Sequence, residues 1–199
     1  MITGLMFKNG IISAANNISN SRQAVDALNI FPVPDGDTGT NMSMTINAAA
    51  ADIAAMPEDS SLDEVSKRTA SALLRGARGN SGVILSLIFR GMSKAFKGLD
   101  EAGSKDVAKA FRMGCDAAYK AVMKPKEGTI LTVAKGAAEK AAELAPESED
   151  LNAFIEDVLA HAEYVLSQTP EMLPVLKEAG VVDSGGQGLL TVLQGAYDA

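Results

Sequence analysis

Cysteine and histidine are almost missing from this sequence. There is one of each, Cys115 and His161, in 199 residues. A single thiol excludes an internal disulfide framework and fits a reducing compartment. With one histidine and no C-x-x-C pair, a zinc site built from Cys and His is excluded. Basic residues are outnumbered, 18 Lys and Arg against 25 Asp and Glu, which gives a net charge of -7 and a pI near 4.8. Nucleic-acid binders usually show the opposite balance, so no nucleic-acid partner is expected. No apolar run approaches the roughly 18 residues that a membrane span needs. The N-terminus lacks the basic start and apolar stretch of a secretion signal. These absences lead us to expect a soluble, cytoplasmic protein without an integral membrane segment. Strand alternation is missing too, because the PVP and MLPVL stretches are short and broken by proline. No fixed-period repeat and no low-complexity linker appears.

Helical periodicity is present nearly everywhere. Hydrophobic residues make up 47% of the chain, enough for one globular domain of this length. Val83, Ile84, Leu87, Ile88, Met92 and Phe96 fall on one helical face. Val107, Phe111, Ala118 and Val122 form a second stripe, and Ile130, Val133, Ala134, Ala137 and Ala141 a third. The stripe from Leu151 to Leu166 is the cleanest. Ser61 and Glu64 read as a capping box, and Asp150 as an N-cap. Abundant alanine and glycine on the stripes indicate close helix packing. The expectation is an all-α protein of about eight helices. Cys115 and the methionines read as core and packing residues, and His161 as structural or exposed.

Four polar, glycine-bearing segments interrupt the helices: NIFPVPDGDTGTNM (29–42), RGARGNSG (75–82), PKEGTILT (125–132) and VDSGGQG (182–188). In the first, Asp35 and Asp37 stand one glycine apart. Gly36 and Gly39 are expected to allow unusual backbone angles there, so that both carboxylates converge on one cation. Magnesium prefers such oxygen ligands and commonly sits between one or two carboxylates and substrate phosphates. A plain Asp-Gly turn is the alternative, although no strands flank it to make a hairpin. An EF-hand is excluded, since its sixth and twelfth positions would be Thr40 and Ile46. No Walker A or Rossmann fingerprint is present. Taken alone, RGARGNSG reads equally as an ordinary helix–helix connection with a cap, and PKEGTILT and VDSGGQG read more readily as caps than as sites. Together they could bring several helix N-termini to one end of a bundle and form a polyanion cradle.

Taken in order, NIFPVPDGDTGTNM, GARGNSGVIL, EGTILTV and VDSGGQGL resemble the N-terminal domain of FakA, the ATP-binding component of bacterial fatty acid kinase. That domain is similar to the DhaL (DAK2) subunits of dihydroxyacetone kinases. The resemblance spans essentially the whole chain. It implies an eight-helix, antiparallel, barrel-like bundle over residues 1–199, with a nucleotide site at one rim, and a longer chain of which this domain is one part. It further implies ATP or ADP with two Mg²⁺ ions held by Asp35 and Asp37. DhaL-type relatives carry a further upstream aspartate; Ile30 stands at that spacing here, and the adjacent Asn29 is the expected third metal ligand. Thr38, Gly39, Thr40 and Asn41 are implied near phosphate, as are Gly79, Asn80, Ser81 and Gly82. Thr129 and Ile130 are implied beside adenine and ribose, with Asp183 and Gly185 in the loop that closes over the nucleotide.

The implied activity is phosphoryl transfer from ATP to a fatty acid carboxylate. The acceptor would be presented by a FakB protein of the DegV family, which engages domains beyond these residues, and the acyl phosphate would feed phospholipid synthesis. The isolated domain is expected to be inactive without those domains and that partner. Its dimerisation is left open. The alternatives are a dihydroxyacetone kinase subunit and a non-catalytic ATP-sensing module. No nucleophile–base pair appears in the sequence, as expected for an acceptor that is already ionised.

Overall fold

A computed structural model describes residues 1–199. The chain folds into ten α-helices: α1 (Gly4–Ala27), α2 (Thr38–Ile53), α3 (Leu62–Gly76), α4 (Gly79–Ala95), α5 (Ser104–Ala121), α6 (Ile130–Leu144), α7 (Leu151–Ser167), α8 (Thr169–Met172), α9 (Pro174–Ala179) and α10 (Ser184–Tyr197). Eight of them run 14 residues or more, which matches the expected count. The other two, α8 and α9, are short, each has a proline in its first turn, and no helical stripe in the sequence announces them. A 3-10 turn over Ala145–Glu147 takes up Pro146. One departure is a two-stranded antiparallel ribbon, β1 (Ile2–Thr3) with β2 (Glu101–Ala102). Two residues per strand cannot show an alternation pattern, so this ribbon is invisible to periodicity.

Local chemistry sets the helix starts. Ser61 and Glu64 form a reciprocal capping box on α3, and Asp150 accepts from the N–H groups of Asn152 and Ala153 on α7. Each such cap contributes about 1 kcal/mol. The long helices then pack in chain order, and α10 returns between α6 and α1 to close the ring. Two side-chain bonds fasten that seam. The Ser13 hydroxyl donates to the Gly195 carbonyl (2.5 Å) and the Asn17 amide to the Thr191 carbonyl (2.7 Å).

The core is one continuous cluster that includes Ile11, Ile18, Met42, Ile46, Leu73, Leu85, Phe89, Val133 and Leu189. Small residues let backbones meet inside it. A methyl group at Gly91 would lie 2.3 Å from the Met113 carbonyl oxygen, and one at Gly114 would lie 2.7 Å from that of Ile88. The α4–α5 crossing therefore depends on those two glycines. Cys115 is buried, as expected. No helix is long and apolar enough to cross a membrane.

Candidate functional site

Four helix N-termini open onto one cavity of about 690 Å³: those of α2, α4, α6 and α10. The helices between them necessarily run the other way, so the antiparallel bundle gathers the positive ends of four helix dipoles at a single rim. These are the four glycine-bearing helix entrances visible in the sequence, and the fold brings all four together. Among the residues singled out from the sequence, Asn29, Asp35, Asp37, Thr38 and Asn41 line this cavity from the first loop and α2. Gly79, Asn80 and Ser81 line it from α4, Thr129 and Ile130 from α6, and Asp183 and Gly185 from α10.

The Asp loop is held from both sides. Gly36 takes a left-handed φ of 66° between the two aspartates, a conformation that favours glycine. Asp35 is exposed and Asp37 half-buried. Partial burial raises the pKa of Asp37, and the carboxyl of Asp35 beside it raises it further, through both its polar contact and its charge. The side chain of Asn41 opposes the shift, and the more distant charge of Asp26 adds to it. Two like-charged carboxylates with no cationic side chain between them form a site that gains from a bound cation.

Across the cavity, α4 begins with Gly79 at φ 65°. The positive φ favours glycine there, and a methyl group would lie 2.4 Å from the Asn41 amide nitrogen and push that side chain aside. No side chain caps α4, and no acceptor within the protein occupies the N–H groups of Gly79, Asn80 or Ser81. Such free donors at a helix start suit an anion. The starts of α6 and α10 are satisfied instead. Thr129 accepts from the Leu131 N–H at 3.3 Å, and Asp183 from the Gly186 N–H at 2.8 Å.

Asp183 is buried, and that burial pushes its carboxyl up to about 6, against the downward pull of the N–H groups of Gly186, Ile130 and Gly185. The neighbouring Ser184 hydroxyl lies 3.1 Å from that of Thr38, joining the starts of α10 and α2.

Three expected residues do not reach the cavity. Gly39 lies inside α2 without a positive φ, contrary to the expectation of an unusual angle. It is small because a side chain would meet the Arg22 carbonyl oxygen at 2.3 Å. Thr40 is turned away, bonded to Asp26 through its N–H (2.9 Å) and its hydroxyl (2.7 Å). Gly82 faces Thr45, whose hydroxyl would be 2.4 Å from an added methyl. Asn29 is in the cavity wall, but its side-chain oxygen already accepts from the N–H groups of Asp37 (3.0 Å) and Thr38 (3.2 Å). Its amide donates to the Val33 carbonyl at 3.0 Å.

The DAK2 domain family matches residues 32–198, which hold every rim residue except Asn29 and Phe31. The chain belongs to the DAK2 domain family. Among its relatives, Protein YloV of Bacillus subtilis (strain 168) is 52% identical over 194 residues, which are 98% of this chain and 35% of that protein. An uncharacterized protein of Staphylococcus aureus (strain bovine RF122 / ET3-1) is 50% identical over 198 residues, covering 100% of this chain and 36% of that protein. The chain thus spans about a third of the length of these relatives. The dihydroxyacetone kinase of C. freundii shares the fold. In complex with AMP-PNP and Mg²⁺ it aligns with a TM-score of 0.66 at 19% identity, over 96% of this chain and 33% of that one. Its native form aligns at 0.64 and 18%, over 100% and 35%.

This DAK2 domain offers only oxygen donors at the Asp loop, the set Mg²⁺ prefers. No group of three or more His, Cys, Asp or Glu side chains is assembled for an ion. Asp35 and Asp37 therefore fit a metal that takes its remaining ligands from substrate phosphates and water.

Sequence reading missed several members of the rim. Lys124 and Lys126 are its only basic residues, and Lys126 sits 5.6 Å from the centroid of the Phe31 ring. Val83, Ile84 and Leu87 form an apolar wall of the cavity. In the sequence they share one stripe with Ile88 and Met92, because periodicity cannot tell a core from a cavity wall.

Proposed function

We propose that this domain binds Mg-ATP at the α2/α4/α6/α10 rim and serves as the kinase domain of a fatty acid kinase. The observation that carries this reading is the convergence of paired carboxylates, uncapped helix N–H groups and an apolar wall on one cavity. Asp35 and Asp37 would hold magnesium, which supplies charge neutralisation on the β- and γ-phosphate oxygens. The free N–H groups of Gly79, Asn80 and Ser81 would bind phosphate oxygens where negative charge accumulates. The apolar wall from Val83 to Leu87 gives the base or the acceptor a dry surface. Lys124 and Lys126 add positive charge at the mouth.

The acceptor in this reading is a fatty acid carboxylate presented by a DegV-family partner in the cytoplasm. One carboxylate oxygen bonds to the γ-phosphorus while the bond from that phosphorus to the β,γ-bridging oxygen breaks. The electron pair stays on ADP, and the product is an acyl phosphate. A carboxylate is ionised at neutral pH, so no general base is required. Alignment and charge neutralisation then supply the rate.

The test uses the full-length protein with ATP and two alternative partners: a fatty-acid-loaded DegV-family protein, or the sugar-binding subunit of a dihydroxyacetone kinase. Acyl phosphate formed only with the first supports the reading. Sugar phosphate formed only with the second would assign the domain to a dihydroxyacetone kinase. Tight ATP binding with no product from either would leave a nucleotide-sensing module.

A further inference from the structure

Asp37 stands at the N-cap position of α2, where an aspartate ordinarily turns its side chain back to bond the N–H groups two and three residues on. Here it does not: the N-cap makes no side-chain cap hydrogen bond, and the first turn of α2 contains no acidic residue. The capping comes from outside. Asp26, in the last turn of α1, accepts from the Thr40 N–H at 2.9 Å through one oxygen and from the Thr40 hydroxyl at 2.7 Å through the other. Asn29 accepts from the N–H groups of Asp37 and Thr38. The donor that Asp37 would otherwise cap is therefore already taken.

The placement of Asp26 adds weight. A carboxylate in the last turn of a helix faces the negative end of that helix's dipole and is unfavourable there. The last turn of α1 has no basic residue to offset it. What offsets it is the positive end of α2, fourteen residues further along the chain.

We propose that Asp26 is a positioning residue: by capping α2 in place of Asp37, it leaves the Asp37 carboxylate beside Asp35 and open to the cavity. This deepens the Mg-nucleotide reading above and rests on it. Without Asp26, the Thr40 N–H is freed, and Asp37 holds the N-cap position from which a side chain ordinarily bonds it. Its carboxylate then turns into its own helix and away from the metal. The lost bond is partly replaced, so metal binding suffers more than stability does. Residues that hydrogen-bond a metal ligand typically alter metal affinity by about 10–100-fold; Asp26 acts one bond further out, through Thr40, so the low end of that range is expected.

The experiment measures Mn²⁺ affinity in the presence of ADP by electron paramagnetic resonance, with thermal melts in EDTA on the same samples. It compares wild type, Asp26→Ala and Asp26→Asn. Wild type should bind Mn²⁺-ADP, and Asp26→Ala should bind it about tenfold or more weakly while its melt moves by only a few degrees. Asp26→Asn keeps an acceptor for the Thr40 N–H and should stay within about twofold of wild type. A folded Asp26→Ala with wild-type affinity overturns the inference and leaves the nucleotide site standing. An Asp26→Asn with a normal melt but lost Mn²⁺ binding also overturns it, since Asp26 would then act through its charge; this arm decides the matter even if Asp26→Ala does not fold. Wild type that binds no Mn²⁺-ADP removes the nucleotide reading and the inference with it.

Discussion

Replacing Asp183 with asparagine should stabilise this domain at neutral pH while spoiling its site. The carboxyl is buried, and its pKa rises from 3.8 to about 6. A raised carboxylate pKa means that the folded state holds its proton more tightly than the unfolded state does. Stability from this group is then fully present below 3.8, falls as pH rises through the window between 3.8 and 6, and is gone above 6. Two pK units correspond to about 3 kcal/mol. The asparagine would keep an acceptor for the Gly186 N–H while the cost of a buried charge disappears, and its single acceptor oxygen serves the Ile130 and Gly185 N–H groups less well than two carboxylate oxygens do, which offsets part of the gain. At a pH of about 8 the variant should gain about 2–3 kcal/mol, less whatever the neutral cap loses against the helix dipole. That is on the order of 4–10 °C in Tm for a domain this size. Urea denaturation of wild type and Asp183→Asn at about pH 5 and about pH 8 checks this. The gap between them should be about half as large at the lower pH, where the folded wild-type carboxyl is mostly protonated. A variant less stable than wild type at the higher pH, or a gap independent of pH, would refute the reasoning. Retention of a destabilising carboxylate is what a functional site leads one to expect.

Three other outcomes follow from the packing. Gly91→Ala should destabilise the domain by about 1–3 kcal/mol or more, because its methyl meets the Met113 carbonyl oxygen at 2.3 Å; a melt within about a degree of wild type would show that α4 and α5 can separate freely. Asn29→Ala should cost about 1–3 kcal/mol by stranding the N–H groups of Asp37 and Thr38, and Asn29→Asp should recover most of it, as chemical denaturation would show. Cys115 should resist Ellman's reagent in the folded protein, since burial lifts its thiol to about 11, and should react at once in urea; immediate reaction under native conditions would contradict the burial.

Features legible in the sequence are those whose causes lie within one helical turn. The capping box at Ser61 and the cap at Asp150 involve residues two or three apart, and both form as expected. The stripes locate the long helices because burial repeats with the helical period. Sequence reading fails where the cause is tertiary. The partnership of Asp26 with Thr40 spans fourteen residues and has no local signature, so Asp26 does not stand out in the sequence. Gly39 looks like a loop glycine, yet its reason is the backbone of α1 pressed against it. Val83, Ile84 and Leu87 repeat like core residues, but only the assembled ring shows that they face a cavity. The short helices α8 and α9 show no stripe, and the proline of MLPVL reads only as breaking a strand, although proline also suits a first helical turn.

The central claim is that the Asp loop and the uncapped start of α4 form one metal-nucleotide site. Calorimetric titration of ATP into the folded domain, with Mg²⁺ and with EDTA, using wild type and Asp37→Ala, tests it most directly. Wild type should bind ATP only when Mg²⁺ is present, and Asp37→Ala should lose that binding. Equal binding in all four titrations, or none by folded wild type in the presence of Mg²⁺, would contradict it.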